Sequence, residues 1–281
     1  MKFHRYNDIN KFVEENLELL LREEGINNLM VSNCLEGLEL GDVDWLLATI
    51  ENDNKTELIM LYRKSWKLLM YSPTNNKSDK LYKFAAEELY KIDRDILGIN
   101  TDKEIASKFA KYYCNLANKK TELHFKMRIL LLEELNKSKL LENMNIRKAT
   151  MKDKEILMQY IREFHKEIFD KEISIEECEE RFNKYMKNGY YLLEKEGEIV
   201  SQVIISRVLK RGKCISGVYT PKQLRGNGYA YNCVYKVSES CLKNGSEYCV
   251  LYADNFNQIS NHIYEKIGYK RISDQEDISF I

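Results

Sequence analysis

The segment Ser216-Gly217-Val218-Tyr219-Thr220-Pro221-Lys222-Gln223-Leu224-Arg225-Gly226-Asn227-Gly228-Tyr229-Ala230 carries the residues best suited to chemistry. It reads as a β-branched run, a proline stop, and a glycine-rich turn that opens a helix. Backbone amides gathered at a helix N-terminus attract phosphate. Gly226 and Gly228 let the main chain approach a ligand with no Cβ in the way, and the Gln-x-x-Gly-x-Gly spacing suits a pyrophosphate better than a lone phosphate. The commoner phosphate loops do not fit. A triphosphate loop needs Gly-Lys-Ser/Thr, whereas Tyr229 and Ala230 follow Gly228. A dinucleotide loop needs a third glycine and an acidic residue about 20 positions on, and neither is in place.

The elements around this loop are predicted from periodicity. A helix over Tyr229–Asn244 places Cys233, Val234, Val237, Cys241 and Leu242 on one face, and Asn244-Gly245 stops it. A strand over Tyr248–Ala253 leads into Asp254-Asn255-Phe256-Asn257-Gln258-Ile259-Ser260-Asn261-His262-Ile263-Tyr264-Glu265-Lys266-Ile267-Gly268-Tyr269. Upstream, Ile146–Thr150 reads as a strand and Lys152–Phe169 as a helix. Ser174 and Glu177 form a capping box for a second helix ending near Met186. Tyr190–Lys195 and Ile199–Val208 make a hairpin about Glu196-Gly197, and Lys213–Tyr219 is the strand that feeds the loop.

The two motifs together, in this order and spacing, resemble the GNAT superfamily of acetyl-CoA-dependent N-acetyltransferases. That pattern is Gln/Arg-x-x-Gly-x-Gly/Ala after a strand, then Asn-x-x-Ala/Ser-x-x-x-Tyr-x-Lys-x-Gly-Phe/Tyr. Val218-Tyr219-Thr220-Pro221 with Gly228-Tyr229-Ala230, and Asn257-x-x-Ser260-Asn261-x-Ile263-Tyr264, are similar to the bacterial branch with two tandem modules. The resemblance implies an α/β protein of two GNAT-like modules, each a mixed, mostly antiparallel sheet flanked by helices. Residues 1–144 would be a degenerate copy, and residues 145–281 the acetyl-CoA-binding domain with the intact loop.

The resemblance also assigns roles. The amides of Leu224, Arg225, Gly226, Asn227, Gly228 and Tyr229, with Ala230 beyond them, would hold the pyrophosphate. The edge of Val218, Tyr219 and Thr220 would pair with the pantetheine arm as an added strand. A strand amide near Gly217–Tyr219 would meet the thioester oxygen. Asn257 would touch the cofactor arm, and Tyr264 would protonate the departing thiolate. Plainer roles stand beside these. Gly226 and Gly228 could serve a tight turn, Asn257 could cap the next helix, Tyr264 could be a core aromatic, and Arg225 could either neutralise phosphate or lie solvated. Glu194, Glu196, His165 and His262 are open as general base, and none is assigned.

Upstream of residue 144 the rhythm is similar but the glycine loop is missing. Expected there are a helix over Lys11–Leu21, strands over Trp45–Ile50, Leu58–Arg63 and Trp66–Tyr71, and a helix over Asp79–Ile92. A strand over Ile96–Asn100 should follow, then a capping box at Thr101–Glu104. Thr121–Glu134 is ambiguous between strand and helix.

Composition bounds the partners. Over 281 residues, 44 basic side chains balance 44 acidic ones, with no basic stripe, so nucleic acid is not expected. No apolar run is long enough to span a membrane and no signal peptide is read at the start, so a cytoplasmic protein is expected. Seven cysteines form an odd set without Cys-x-x-Cys, which predicts neither a disulfide frame nor a metal site. The expected reaction is acetyl transfer from acetyl-CoA to the primary amine of a small molecule or peptide. Two alternatives stay open: an acyl-CoA-binding regulatory module without turnover, and an aminoacyl transferase that uses charged tRNA. Neither half shows a coiled-coil repeat, and oligomeric state is not read.

Overall fold

The computed structural model describes residues 1–281. In chain order the first ten elements are β1 (Lys2–Tyr6), α1 (Ile9–Leu21), α2 (Asn28–Leu40), β2 (Trp45–Asn52), β3 (Lys55–Arg63), β4 (Leu69–Tyr71), α3 (Asp79–Ile92), β5 (Gly98–Asp102), α4 (Lys103–Ala117) and β6 (Thr121–Leu132). The next ten repeat that order of strands and helices: β7 (Met144–Lys148), α5 (Lys154–Phe169), α6 (Ile175–Asn188), β8 (Tyr190–Lys195), β9 (Glu198–Val208), β10 (Gly212–Tyr219), α7 (Tyr229–Lys243), β11 (Tyr248–Asp254), α8 (Gln258–Ile267) and β12 (Lys270–Phe280). Short 3-10 turns at Met151–Asp153 and Lys222–Leu224 are the additions.

Two compact units form. The first holds residues 1–129, 253–256 and 272–281, and the second 130–252 and 257–271, so the end of the chain returns to the first unit rather than staying with its neighbours in sequence.

In the first unit, β1, β2, β3 and β4 pair antiparallel in that order, and β12 pairs antiparallel with β5 from Gln275↔Asp102 to Ser279↔Gly98. The core gathers Ile50, Met60, Tyr82, Phe109, Tyr113, Ile278 and Phe280. In the second unit the strands run β11-β10-β9-β8-β7, antiparallel except for the parallel pair β10 and β11. Leu157 and Ile161 of α5 and Cys178 and Phe182 of α6 pack on Tyr190, Leu192 and Ile204. Burying a side chain such as Phe182 contributes about 1.5–3 kcal/mol, which binds α5 and α6 to the strands.

Most expected elements appear near their expected bounds, including the Ser174–Glu177 box at the start of α6. Several in the first unit differ. Thr101 does not cap α4: it is a buried strand residue whose hydroxyl goes to the Met70 carbonyl, and Asp102 turns its carboxylate to the amides of Glu104 and Ile105 instead. The strand therefore lies at Gly98–Asp102, two residues beyond the expected span, and Trp66–Tyr71 is strand only over Leu69–Tyr71. Thr121–Leu132 is strand, not helix. β1 and α2 had no signal strong enough to read.

Candidate active site

The site begins with a parting of strands. Parallel β10 and β11 pair from Gly212↔Tyr248 to Ile215↔Leu251, and no pairing continues past Ile215. On its other side β10 stays on β9 but slips: Ser216 faces Ile204 and Tyr219 faces Gln202, three steps against two. Gly217 supplies the bulge. Its φ is +55°, and a Cβ there would lie 2.3 Å from Ile204 Cδ1, so the close approach itself requires glycine. Gln202 Nε2 donates to the Gly217 carbonyl at 3.2 Å, and Ser201 Oγ to that of Tyr219 at 3.0 Å.

Beyond β10 the chain turns through Pro221, the 3-10 turn, Gly226 (φ +83°) and Gly228 (φ +74°) into α7. No side chain caps α7, so its first amides end at the loop without an internal acceptor. A Cβ built on Gly226 meets nothing within 4 Å, so the main chain there has open space against it.

These features border a cavity of about 500 Å³. Of the residues singled out from the sequence, Val218, Tyr219, Thr220, Leu224, Arg225, Gly226, Gly228, Tyr229, Ala230, Asn257 and Tyr264 line it. Asn227 does not. Its amide folds back onto the carbonyls of Leu224 and Arg225, at 3.0 and 3.4 Å, and holds the turn.

Asn257 takes the plainer of its two expected roles at its oxygen: Oδ1 accepts from the Ser260 amide at 3.0 Å and caps α8, while the residue still borders the cavity. Tyr264 lies one face of α8 inward, 8% exposed, edge-on to Tyr269. Burial pushes its phenol up to about 12, which keeps it protonated at neutral pH. Arg225 is exposed on the loop, as one of its two expected roles had it, but it is not unpaired. Its Nε donates to the Thr220 carbonyl at 2.9 Å, and its Nη2 meets both oxygens of Glu167 at 2.7 and 3.0 Å.

Four cavity residues escaped the sequence reading on α5 and α8: Phe164, Glu167, Ile168 and Ile259. Ile259 is 78% exposed and Ile168 is also exposed, so the mouth is apolar. A faint signal existed in Phe164 and Ile168, an apolar pair four apart beside acidic Glu163 and Glu167. Glu163 stands just behind the wall, where its Oε2 accepts from Tyr219 OH at 2.6 Å. The other acids and histidines considered earlier are elsewhere or occupied. Glu194 binds Arg147 Nε at 2.7 Å, Glu196 sits in the β8–β9 turn, His165 Nδ1 lies 2.9 Å from the Lys171 carbonyl, and His262 is exposed.

No group of His, Cys, Asp and Glu could hold a metal ion, and the seven cysteines are buried free thiols. No helix is long and apolar enough to cross a membrane.

Known proteins share this fold. The family model described as GNAT acetyltransferase matches residues 24–275. A Drosophila protein of known structure superposes with a TM-score of 0.68 at 11% identity, covering 99% of this chain and 98% of its own. An acetyltransferase of the GNAT family from Colwellia psychrerythraea gives 0.57 at 10% identity over 100% of both chains. A GCN5-related N-acetyltransferase from Kribbella flavida gives 0.57 at 14% identity over 89% and 93%. At such identities the likeness is one of fold. No curated protein matches the sequence.

Proposed function

We propose that the chain, which belongs to the GNAT acetyltransferase family, moves an acetyl group from acetyl-CoA to the primary amine of a small molecule or peptide in the cytoplasm. One observation carries the reading: the unpaired edge of β10 beyond Ile215, the glycine loop and Tyr264 all border one cavity. The open space at Gly226 and the uncapped start of α7 fit a pyrophosphate. Acetyl-CoA would supply the activated thioester.

The chain's own residues do the rest. The Leu224 and Arg225 amides, expected to join in, are held instead by the Pro221 and Lys222 carbonyls at 2.8 and 3.3 Å, so the amides from Gly226 to Tyr229 bind the diphosphate, and the Val218–Thr220 edge accepts the extended arm as an added strand. A strand amide at the Gly217 bulge faces the oxygen on which charge develops. Tyr264, neutral and nearly dry, gives its proton to the sulfur as the amine attacks directly. The tRNA alternative gains no support from the overall charge, with 44 basic against 44 acidic side chains.

The site falls within residues 145–281, which we propose as the cofactor-binding domain, with residues 1–144 a degenerate copy. Support comes from the repeated element order and from the two prolines: Tyr71-Ser72-Pro73 follows β4 as Tyr219-Thr220-Pro221 follows β10. A parallel bridge, Leu68↔Ile99, stands where β10 pairs β11. The loop after Pro73 has no glycine, and its Asn76 amide is taken by Ser72 Oγ at 2.9 Å.

Calorimetric titration of acetyl-CoA into the wild type and Gly228→Glu tests the site. Binding by the wild type and its loss in the variant supports the reading. No binding by either sinks it.

A further inference from the structure

Two carboxylates lie at the α5 wall of the cavity, and they are not equivalent. Glu167 is neutralised by Arg225, with Lys222 Nζ a further 3.8 Å away. Glu163 has neutral partners: Oε1 accepts from Gln159 Nε2 at 2.8 Å, one turn back, and Oε2 from Tyr219 OH at 2.6 Å. The Tyr219 ring sits among Tyr160 and Phe164, with centroids 5.3 and 6.4 Å away. It faces the cavity's strand wall, beside the bulge.

We propose that Tyr219 and Glu163 carry the proton away from the acceptor amine, Tyr219 meeting the nitrogen and Glu163 acting through Tyr219. The inference rests on the amine-transfer reading above. As the C–N bond forms and the C–S bond breaks, an N–H proton passes to Tyr219 Oη, whose own proton passes along the 2.6 Å bond to Glu163 Oε2. The sulfur takes its proton from Tyr264. Glu163 is only half-buried and returns the proton to solvent, and the Tyr264 phenolate takes one back from water entering the cavity, so the products are an N-acetyl amine and a free thiol and both tyrosines end protonated. A phenol fits this post because it can accept and donate in one motion. Burial, then the bond to Glu163, pushes the Tyr219 phenol up, so it begins each cycle protonated. The charged groups facing it are Glu163, Glu167 and Arg225.

The first unit holds a built-in comparator. Tyr71 OH donates to Glu23 Oε2 at 2.7 Å, a tyrosine–glutamate pair of the same kind at the end of β4, where no glycine loop follows. If both pairs are architectural, removing either hydroxyl should cost stability alone.

The test is free-thiol release from acetyl-CoA with spermidine, phenethylamine, L-lysine and tetra-alanine, followed with whichever amine the wild type uses fastest. Tyr219→Phe and Glu163→Gln should each lower kcat on the order of 100-fold or more, with KM for acetyl-CoA within about twofold. The double variant should be no slower than the slower single, as members of one relay are not additive. Glu163→Asp should recover part of the rate, and Tyr71→Phe should leave kcat unchanged. The relay is refuted if Tyr219→Phe keeps kcat and only lowers the melting temperature as Tyr71→Phe does. Silence of the wild type with all four amines would overturn the amine-transfer reading itself, and the relay with it.

Discussion

Arg225, the cation of the glycine loop, grips both carboxylate oxygens of Glu167 on α5, 58 residues earlier in the chain. The guanidinium is thus held by a protein partner, and under the proposed reading the loop amides serve as the main pyrophosphate donors. Glu167→Gln should free Arg225 and tighten acetyl-CoA binding by about two- to tenfold at low salt, since one charge-assisted contact contributes on the order of 1 kcal/mol. Calorimetry at two salt concentrations reads the effect. Unchanged affinity would mean that Arg225 cannot reach the ligand.

The two loop glycines beside the cavity should differ from the bulge glycine in what they cost. At Gly217 a methyl group meets Ile204 Cδ1 at 2.3 Å with φ +55°, whereas at Gly226 it meets open space. Gly217→Ala should lose about 2–4 kcal/mol from strain and overpacking together, and Gly226→Ala about 1 kcal/mol from backbone strain alone. Urea midpoints give the ranking, and equal losses would show that β9 yields to the intruding methyl.

Tyr264 is expected to act as a donor and to leave a signature in alkaline unfolding. Tyr264→Phe should lower kcat on the order of 100-fold with little change in KM for acetyl-CoA. Its folded-state value, raised from 10.0 to about 12, means its contribution is whole below pH 10 and is lost as pH rises towards 12. Stability of the wild type should therefore fall over that window by up to about 3 kcal/mol more than that of Tyr264→Phe. Parallel curves would place the phenol in water.

At β7, Arg147 Nη1 and Nη2 clasp Asp153 at 2.8 Å each, and Asp153 Oδ2 also accepts from the Thr150 amide at 2.7 Å. The Arg147 bonds hold the Asp153 carboxyl well below the ordinary 3.8. A lowered value contributes stability above pH 3.8 that is lost as pH falls further, so Asp153→Asn should flatten acid unfolding. At pH 7 it should lose about 1–3 kcal/mol as the cap and the clasp go together. An unchanged melting temperature would contradict this.

Local signals, which act within a turn or a strand step, were enough to read α3, α5, α6, α7 and the β8–β9 hairpin from the sequence, along with the turn glycines Gly197, Gly226, Gly228 and Gly245, where φ is positive. Apolar spacing, capping residues and left-handed backbone belong to the segment itself, whatever surrounds it. The same signals failed where two neighbours compete for one job. Thr101 and Asp102 are both good caps, and burial of the threonine against Met70 decided between them. Asn257 likewise matches a ligand motif and a cap, and its bond to Ser260 is visible only in three dimensions. Which acid stands behind Tyr219, which one quenches Arg225, and which unit receives the last strand were beyond the sequence. Each depends on elements brought together across more than fifty residues by packing of α5 on β10, or by β12 pairing with β5, and no short-range pattern encodes such a meeting. The motif named the loop; the fold chose its partners.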